Sequence, residues 1–322
     1  MDTQLATLAG NPRAVIQQLL DNDPRLISKH TIRQYKADLF DFDAWRTGRT
    51  ITKTLVEEYA AQLQAEGKAP NTINQRLAAI RWYARKIADL AMDYSGAGES
   101  ELADFYAKHA ARVVTVRDVK GERPERGRHI EQGELSALID ACTSDASPAG
   151  IRDAAIIALA WSTGLRRDEI SRVELADLTN QTEDGLDIGV VGQGQKVRNV
   201  YVNDGALAAL LDWLGLRGND PGALFVNVNK GRKITGGKLS GEALRKMLDK
   251  RSEQADLSKP VTWHDFRRTF AGNLWDAKID GVTIQKLMGH ASQNQTAKYD
   301  RRPEATRRQP VKVLHVPYKS AR

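Results

Sequence analysis

Residues 154–169 read AAIIALAWSTGLRRDE, and the change of character along this stretch decides the fold of the second half of the chain. Positions 154–161 are apolar on nearly every face, which only a helix enclosed by other elements tolerates, so a buried helix at the axis of a core is predicted. Gly164 then suits the left-handed residue that ends a helix, and Arg166 opens another with Glu169 one turn on. A guanidinium is thereby fixed beside a carboxylate, where it can make a bidentate contact to phosphate. Taken alone, the same residues read more simply as a surface helix start carrying an Arg/Glu pair.

Working outward, a helix is predicted near 131–141 and further helices over 206–214, 240–255, 264–277 and 282–288. Two strands, Leu186–Val191 and 199–202, flank a glycine-containing turn and form a hairpin. The second domain, 130–305, is therefore mainly α with a small antiparallel β-sheet. The region 12–110 shows helical periodicity, broken at Asp23-Pro24, Thr47-Gly48, Gly67 and Ala69-Pro70. It is read as a helical bundle. Its best-defined helix starts at Asn71 or Thr72 and carries Ile73, Leu77, Ile80, Ala84 and Ile87 as one stripe, with Arg76, Arg81, Arg85 and Lys86 on the other faces. Those four cations can touch phosphates or simply face solvent.

At 41% hydrophobic and 28% charged over 322 residues, the chain can bury two cores. Between them, 111–129 loses the apolar rhythm and gathers Arg117, Lys120, Arg123, Arg126 and Arg128 around Gly121, Pro124 and Gly127, as a basic linker does. Much of the net charge of +7 collects after Lys298, and the tail 306–322 adds Val311, Val313, Leu314 and Val316. These are too few for a core, so docking on another surface, such as a neighbouring subunit, is expected.

Three further segments carry chemistry-bearing residues. His264 and Arg267 stand at i and i+3, on one helix face, where their donors converge on one anion; such a pair is also a common surface or capping feature. His290 follows Gly289 at the end of a short apolar helix, a position that packing alone also explains. Tyr299 lies in the polar run NQTAKYD at 294–300, an odd place for a ring that serves only burial. A phenol is largely protonated at neutral pH, so nucleophilic use of it needs nearby cations or a base.

Other classes are disfavoured. There is no HxxxH or Cys/His cluster for a metal and no GxxxxGK[ST] loop for a nucleotide, so no cofactor is expected. The single cysteine, Cys142, sits in an apolar helical pattern as a buried structural thiol, consistent with a reducing cytoplasm. Neither a signal-like leader nor an apolar run of roughly 20 residues is present, so no membrane association is expected.

Taken in order, TGLRRDE at 163–169, HDFRRTFA at 264–271 and LMGHASQNQTAKY at 287–299 resemble the TGLRxSE, HxLRHTFA and LLGHxSxxxTxxY boxes of the tyrosine recombinase, or phage integrase, family. The resemblance is strong over 130–305. It is weaker in the helical N-terminal region, whose NTINQRLAAIRWYARK at 71–86 is similar to the family's core-binding (SAM-like) domain. It implies a two-domain C-shaped clamp on double-stranded DNA and a homo-oligomer, a tetramer on two DNA sites. It also implies a cytoplasmic, nucleoid-associated enzyme that works without ATP or metal in DNA integration, excision or resolution. By the same resemblance Arg166 and Arg267 would grip the scissile phosphate, His264 assist proton transfer, His290 hydrogen-bond a phosphate oxygen and Glu169 orient its neighbours. Tyr299 would attack, leaving a 3'-phosphotyrosyl link and a free 5'-hydroxyl.

The hairpin departs from the family pattern. GKGxKxR becomes GQGQKVR at 192–198, so Gln193 stands where the acid lysine is usual. Glutamine has no acidic proton to give, and Lys196 is expected to serve instead, with Arg198 as a backbone-phosphate contact or a surface charge. Two alternatives share the scaffold: a type IB topoisomerase-like relaxing enzyme, and a DNA-binding protein without activity.

Overall fold

The computed structural model describes residues 12–24, 29–95, 100–121, 127–183, 185–192, 196–300 and 302. The chain divides into two units, Met1–Glu125 and Arg126–Arg322.

Among the described residues of the first unit, five helices form the expected bundle: α1 (Pro12–Asn22), α2 (Lys29–Arg46), α3 (Lys53–Ala65), α4 (Pro70–Ser95) and α5 (Ser100–Val114). Thr52 caps α3 by accepting from the Leu55 N–H. The stripe of α4 is inside: Ile73, Leu77 and Ile80 are fully buried and pack with Phe42, Val56, Leu63 and Val113. Pro70, rather than Asn71 or Thr72, opens α4, because a proline at the first position loses no helical hydrogen bond.

Both ends of the stretch read as a linker are tied down. Asn74 exchanges hydrogen bonds with the Val119 backbone, and Arg81 Nη1 donates to the Val116 carbonyl. At the other end the Arg128 N–H donates to Asp265 and Ile130 N–H to Thr269. Residues 120–127 separate these anchors, and of them 122–126, with Arg123 and Arg126, lie outside the described residues.

The second unit is built around α7 (Pro148–Thr163), whose Ala155, Ile156, Ile157, Leu159 and Ala160 are fully buried. Packed on it are α6 (Gln132–Thr143), the 14-residue α9 (Asp204–Arg217) and α11 (Trp263–Asp276). Cys142 of α6 is fully buried, and that burial pushes its thiol up to about 12. The four-residue α8 (Arg167–Ile170) follows α7, and α10 (Gly241–Gln254), α12 (Gly281–Met288) and α13 (Gln293–Ala297) are the other helices among the described residues.

A three-stranded antiparallel sheet runs β1 (Leu178–Thr179), β2 (Leu186–Val191), β3 (Val197–Val202), with Val190 opposite Arg198 and Val191 opposite Val197. A second pair joins β4 (Val226–Val228) to β5 (Ile234–Lys238). The sequence reading missed β1, β4 and β5: two to five residues long and, in ITGGK, without alternation, they leave no period-2 signature. Among the described residues no helix is long and apolar enough to cross a membrane.

Candidate active site

Three chain reversals set the site. The first is Gly164, in the left-handed conformation at φ 59°, where a Cβ would come within 2.5 Å of the Phe270 side chain. Only glycine lets α7 end so close to α11. Two residues on, Arg166 caps α8, its N–H donating to Glu169 Oε2 at 2.8 Å and its Nη1 to Oε1 at 3.0 Å.

The second reversal, at Gly289, ends α12 at φ 61°. It frees the Met288 and Leu287 carbonyls for two arginines: Arg267 reaches from α11 to Met288 as well as to the Gly164 carbonyl of the first reversal, and Arg198 Nε donates to the Leu287 carbonyl at 3.1 Å. A Cβ on Gly289 would lie 2.8 Å from Arg198 Nη1, so that glycine is also where the guanidinium passes.

The third element is the base of the β2–β3 hairpin. Arg198 donates from Nη1 and Nη2 to the two oxygens of Glu169, at 3.1 and 2.9 Å. Glu169, 4% exposed, thus serves Arg166 and Arg198 together, and although burial opposes its charge, the hydrogen bonds from Arg198 and the Arg166 backbone hold its pKa below the usual range.

Three guanidinium groups against one carboxylate leave the centre strongly positive, and the remaining groups register it. Burial and then the Arg166 charge lower Arg267 to about 10. Burial, followed by the charges of Arg267, Arg166 and Arg198, drives His290 down to about 3, so its ring is neutral at physiological pH. The His290 Nδ1 lies 2.8 Å from the Thr296 hydroxyl, and its backbone N–H donates to the Gln285 carbonyl. The same α13 that supplies Thr296 leads directly into Tyr299, whose N–H donates to the Thr296 carbonyl at 3.0 Å. The Tyr299 ring is stacked on His290, centroids 5.6 Å apart, and lies 6.2 Å from His264, an exposed residue of the first turn of α11. Such a centre can hold a phosphodiester between guanidinium groups, with a phenol and two imidazoles beside it.

The structure brings Arg166, Glu169, Arg267, His290, Tyr299 and His264 into one unit of closely linked contacts. Lys196 it leaves exposed at the hairpin base, its carbonyl accepting from the Gly192 N–H; the tip, with Gln193, lies outside the described residues. Arg198 corrects the expectation of a surface charge. It alternates with buried Val200 and Val202, so it points inward, with only 12% of its side chain exposed.

Four other cations are spent internally. Arg76 donates to Tyr59 and pairs with Asp41, Arg81 pairs with Asp118, Lys86 with the buried Asp23, and Arg128 makes a two-armed pair with Glu134. Each partner neutralises a charge that spacing alone had assigned to solvent or DNA. Arg85, Arg117 and Lys120 are exposed. Thr296, 1% exposed, was not singled out from the sequence; its place six residues after His290 was the available signal.

The sequence model of the Phage integrase family matches residues 128–305, and that of the phage integrase N-terminal SAM-like domain matches 23–87. Tyrosine recombinase XerC of Chromohalobacter salexigens is 31% identical over 305 residues, covering 89% of this chain and 91% of the relative. XerC of Alcanivorax borkumensis is 28% identical over 288 residues, covering 85% and 84%. Tyrosine recombinase XerD of Rickettsia conorii is 27% identical over 293 residues, covering 85% and 89%.

Among solved structures, the XerH site-specific recombinase bound to palindromic difH substrate is similar at a TM-score of 0.65 and 19% identity, covering 94% of this chain and 84% of that one. The Tn1549 transposon integrase in complex with transposon right end DNA reaches 0.65 at 17% identity, covering 93% and 99%. These two likenesses speak for the fold. With the matched family model spanning more than half of its length, the chain belongs to the phage integrase family, the tyrosine recombinases.

Proposed function

We propose that this enzyme cuts and rejoins double-stranded DNA at specific sites, with Tyr299 as the nucleophile. The observation that carries the reading is the stacking of the Tyr299 ring on a His290 held neutral inside a cluster of three arginines. A phosphodiester held by Arg166 and Arg267 has its charge offset where negative charge grows in the transition state. The Tyr299 oxygen attacks phosphorus, its proton passing to His264, while the bond to the 5'-oxygen breaks. That oxygen takes a proton, which we assign to Lys196 of the hairpin, and leaves as a 5'-hydroxyl. His290 donates a hydrogen bond to a non-bridging oxygen, and Glu169 orients Arg166.

The 3'-phosphotyrosyl link is a phosphodiester like the one broken, so a partner strand's 5'-hydroxyl can reverse the step without ATP. The reading extends to the rest of the chain. Residues 12–110 serve as the core-binding domain, 111–129 as the connection along DNA, 130–305 as the catalytic domain, and 306–322 dock on a neighbouring protomer of a tetramer on two sites. Work of this kind belongs in the cytoplasm, at the nucleoid, in integration, excision or resolution. The relatives named XerC and XerD and the family match favour recombination over relaxation of supercoils.

A nicked suicide substrate carrying the target site tests the assignment. The protein should form a covalent protein–DNA adduct, and Tyr299→Phe should bind the same DNA yet form none, since only the hydroxyl is lost. An adduct that survives Tyr299→Phe removes Tyr299 from the role.

A further inference from the structure

The backbone that carries Tyr299 is held on both sides. Upstream, the Thr296 hydroxyl meets His290, and the Tyr299 N–H closes on the Thr296 carbonyl. Downstream, Arg302 Nε and Nη2 donate to the two oxygens of Asp300, both at 2.8 Å, and the Arg302 N–H donates to the same carboxylate at 3.1 Å.

An ion pair between residues two apart that is still in reach of solvent is worth little to stability. Here it has a third member. The Arg302 guanidinium sits over the Trp275 ring, 4.5 Å from its centroid, and the Asp276 carboxylate adds to the field that raises the Arg302 pKa, chiefly set by its bonds to Asp300. Trp275 in turn is fixed: its ring approaches Gly281 so closely that a Cβ there would lie 2.9 Å away. It also belongs to the small apolar cluster of Ala271, Ile284 and Met288, against which Tyr299 itself packs. Trp275 is on α11, the helix that supplies His264 and Arg267.

The residues after the nucleophile are therefore fastened to the helix that presents two of its partners. We propose that Asp300, Arg302 and Trp275 form a staple that positions Tyr299 for attack on the phosphate held by its own unit. None of the three touches the reacting atoms; they act through the backbone that follows residue 299. The proposal rests on the reading of Tyr299 as nucleophile. A displacement of about 1 Å at a nucleophile can cost on the order of 100-fold in rate, so a weak pair can matter to the reaction while mattering little to the fold.

The test is single-turnover adduct formation on the suicide substrate with the full chain. Arg302→Ala should slow the step by about 10- to 100-fold, with the dissociation constant for the DNA and the thermal midpoint unchanged and the pH profile of cleavage keeping its shape. Arg302→Lys, which keeps the cation over the ring but loses the two-armed pair, should recover part of the rate, and Trp275→Phe, which keeps a ring face, should recover most of it relative to Trp275→Ala. A 5'-bridging phosphorothiolate should not rescue Arg302→Ala, because the leaving group is not what the staple serves. Arg302→Ala at the rate of the unaltered protein, or slowed only in proportion to lost DNA affinity or lost folding, overturns the staple while leaving Tyr299 as nucleophile. No adduct with the unaltered protein overturns the functional reading and the staple with it.

Discussion

The imidazole of His290 lies flat against the phenol ring of Tyr299, the planes 10° apart and the centroids 5.6 Å apart. A charged imidazole in that place would be cut off from solvent and would also face three guanidinium groups, and burial first and those charges second bring its pKa to about 3. Stability should respond to pH accordingly. The folded pKa is depressed below the unfolded value of about 6.5, so as pH falls the unfolded chain takes up a proton that the folded chain refuses. Stability tied to His290 is then complete above about pH 6.5 and lost progressively toward pH 3, at a slope of about 1.4 kcal/mol per pH unit. His290→Gln should flatten this slope in chemical-denaturation titrations between pH 6 and 4, and an unchanged slope would contradict the burial of a neutral ring.

Glu169 and Arg198 should prove inseparable. Arg198→Ala leaves a 4%-exposed carboxylate with Arg166 alone, and breaking a buried pair by removing one partner costs about 3–5 kcal/mol. The thermal midpoint should fall markedly, and cleavage should slow because Arg166 is no longer held from behind. Replacing both members, as Glu169→Gln with Arg198→Met, should cost less stability than Arg198→Ala alone. A double variant as unstable as the sum of its singles would show that the two act independently.

For the leaving group, Lys196→Ala should slow cleavage of ordinary DNA by about 100-fold, the usual contribution of a general acid, and more than Gln193→Ala does. DNA with a 5'-bridging sulfur, which leaves without help, should restore Lys196→Ala. Equal effects of the two substitutions would remove Lys196 from the step.

On the first unit the cations divide into two groups with opposite expected behaviour. Neutralising exposed Arg85, Arg117 or Lys120 should weaken DNA binding and lower the salt dependence by about one counterion each, with the fold intact. Neutralising Arg81 or Lys86, paired with Asp118 and Asp23, should lower the melting temperature first. Binding isotherms at several salt concentrations, set beside thermal melts, separate the two groups.

Much of this architecture was legible beforehand because the signals are local. The stripe Ile73, Leu77, Ile80 marks the buried side of α4, and Gly164 and Gly289 mark helix ends because their conformation admits little else. Arg198 was misjudged through a boundary error of two residues. Starting the strand at Val197 rather than 199 puts 198, 200 and 202 on one side, and the apolar character of the last two then turns the arginine inward. The pairing of Arg76, Arg81, Lys86 and Arg128 could not be read in the same way. For the first three the carboxylates come from segments that only the folded chain brings near, and for Arg128 from Glu134 six residues on, a spacing that has no fixed geometry before α6 forms, so composition sees charge where the structure has already neutralised it.

Cys142 offers a practical opening. The sole thiol of the chain is sealed within α6 and so weakly acidic that maleimides and similar electrophiles will find almost no thiolate to attack at neutral pH. A second cysteine placed by design at an exposed point, such as the β4–β5 turn in Lys230→Cys, would then take up a dye or crosslinker alone, without first stripping the native sulfur from the protein.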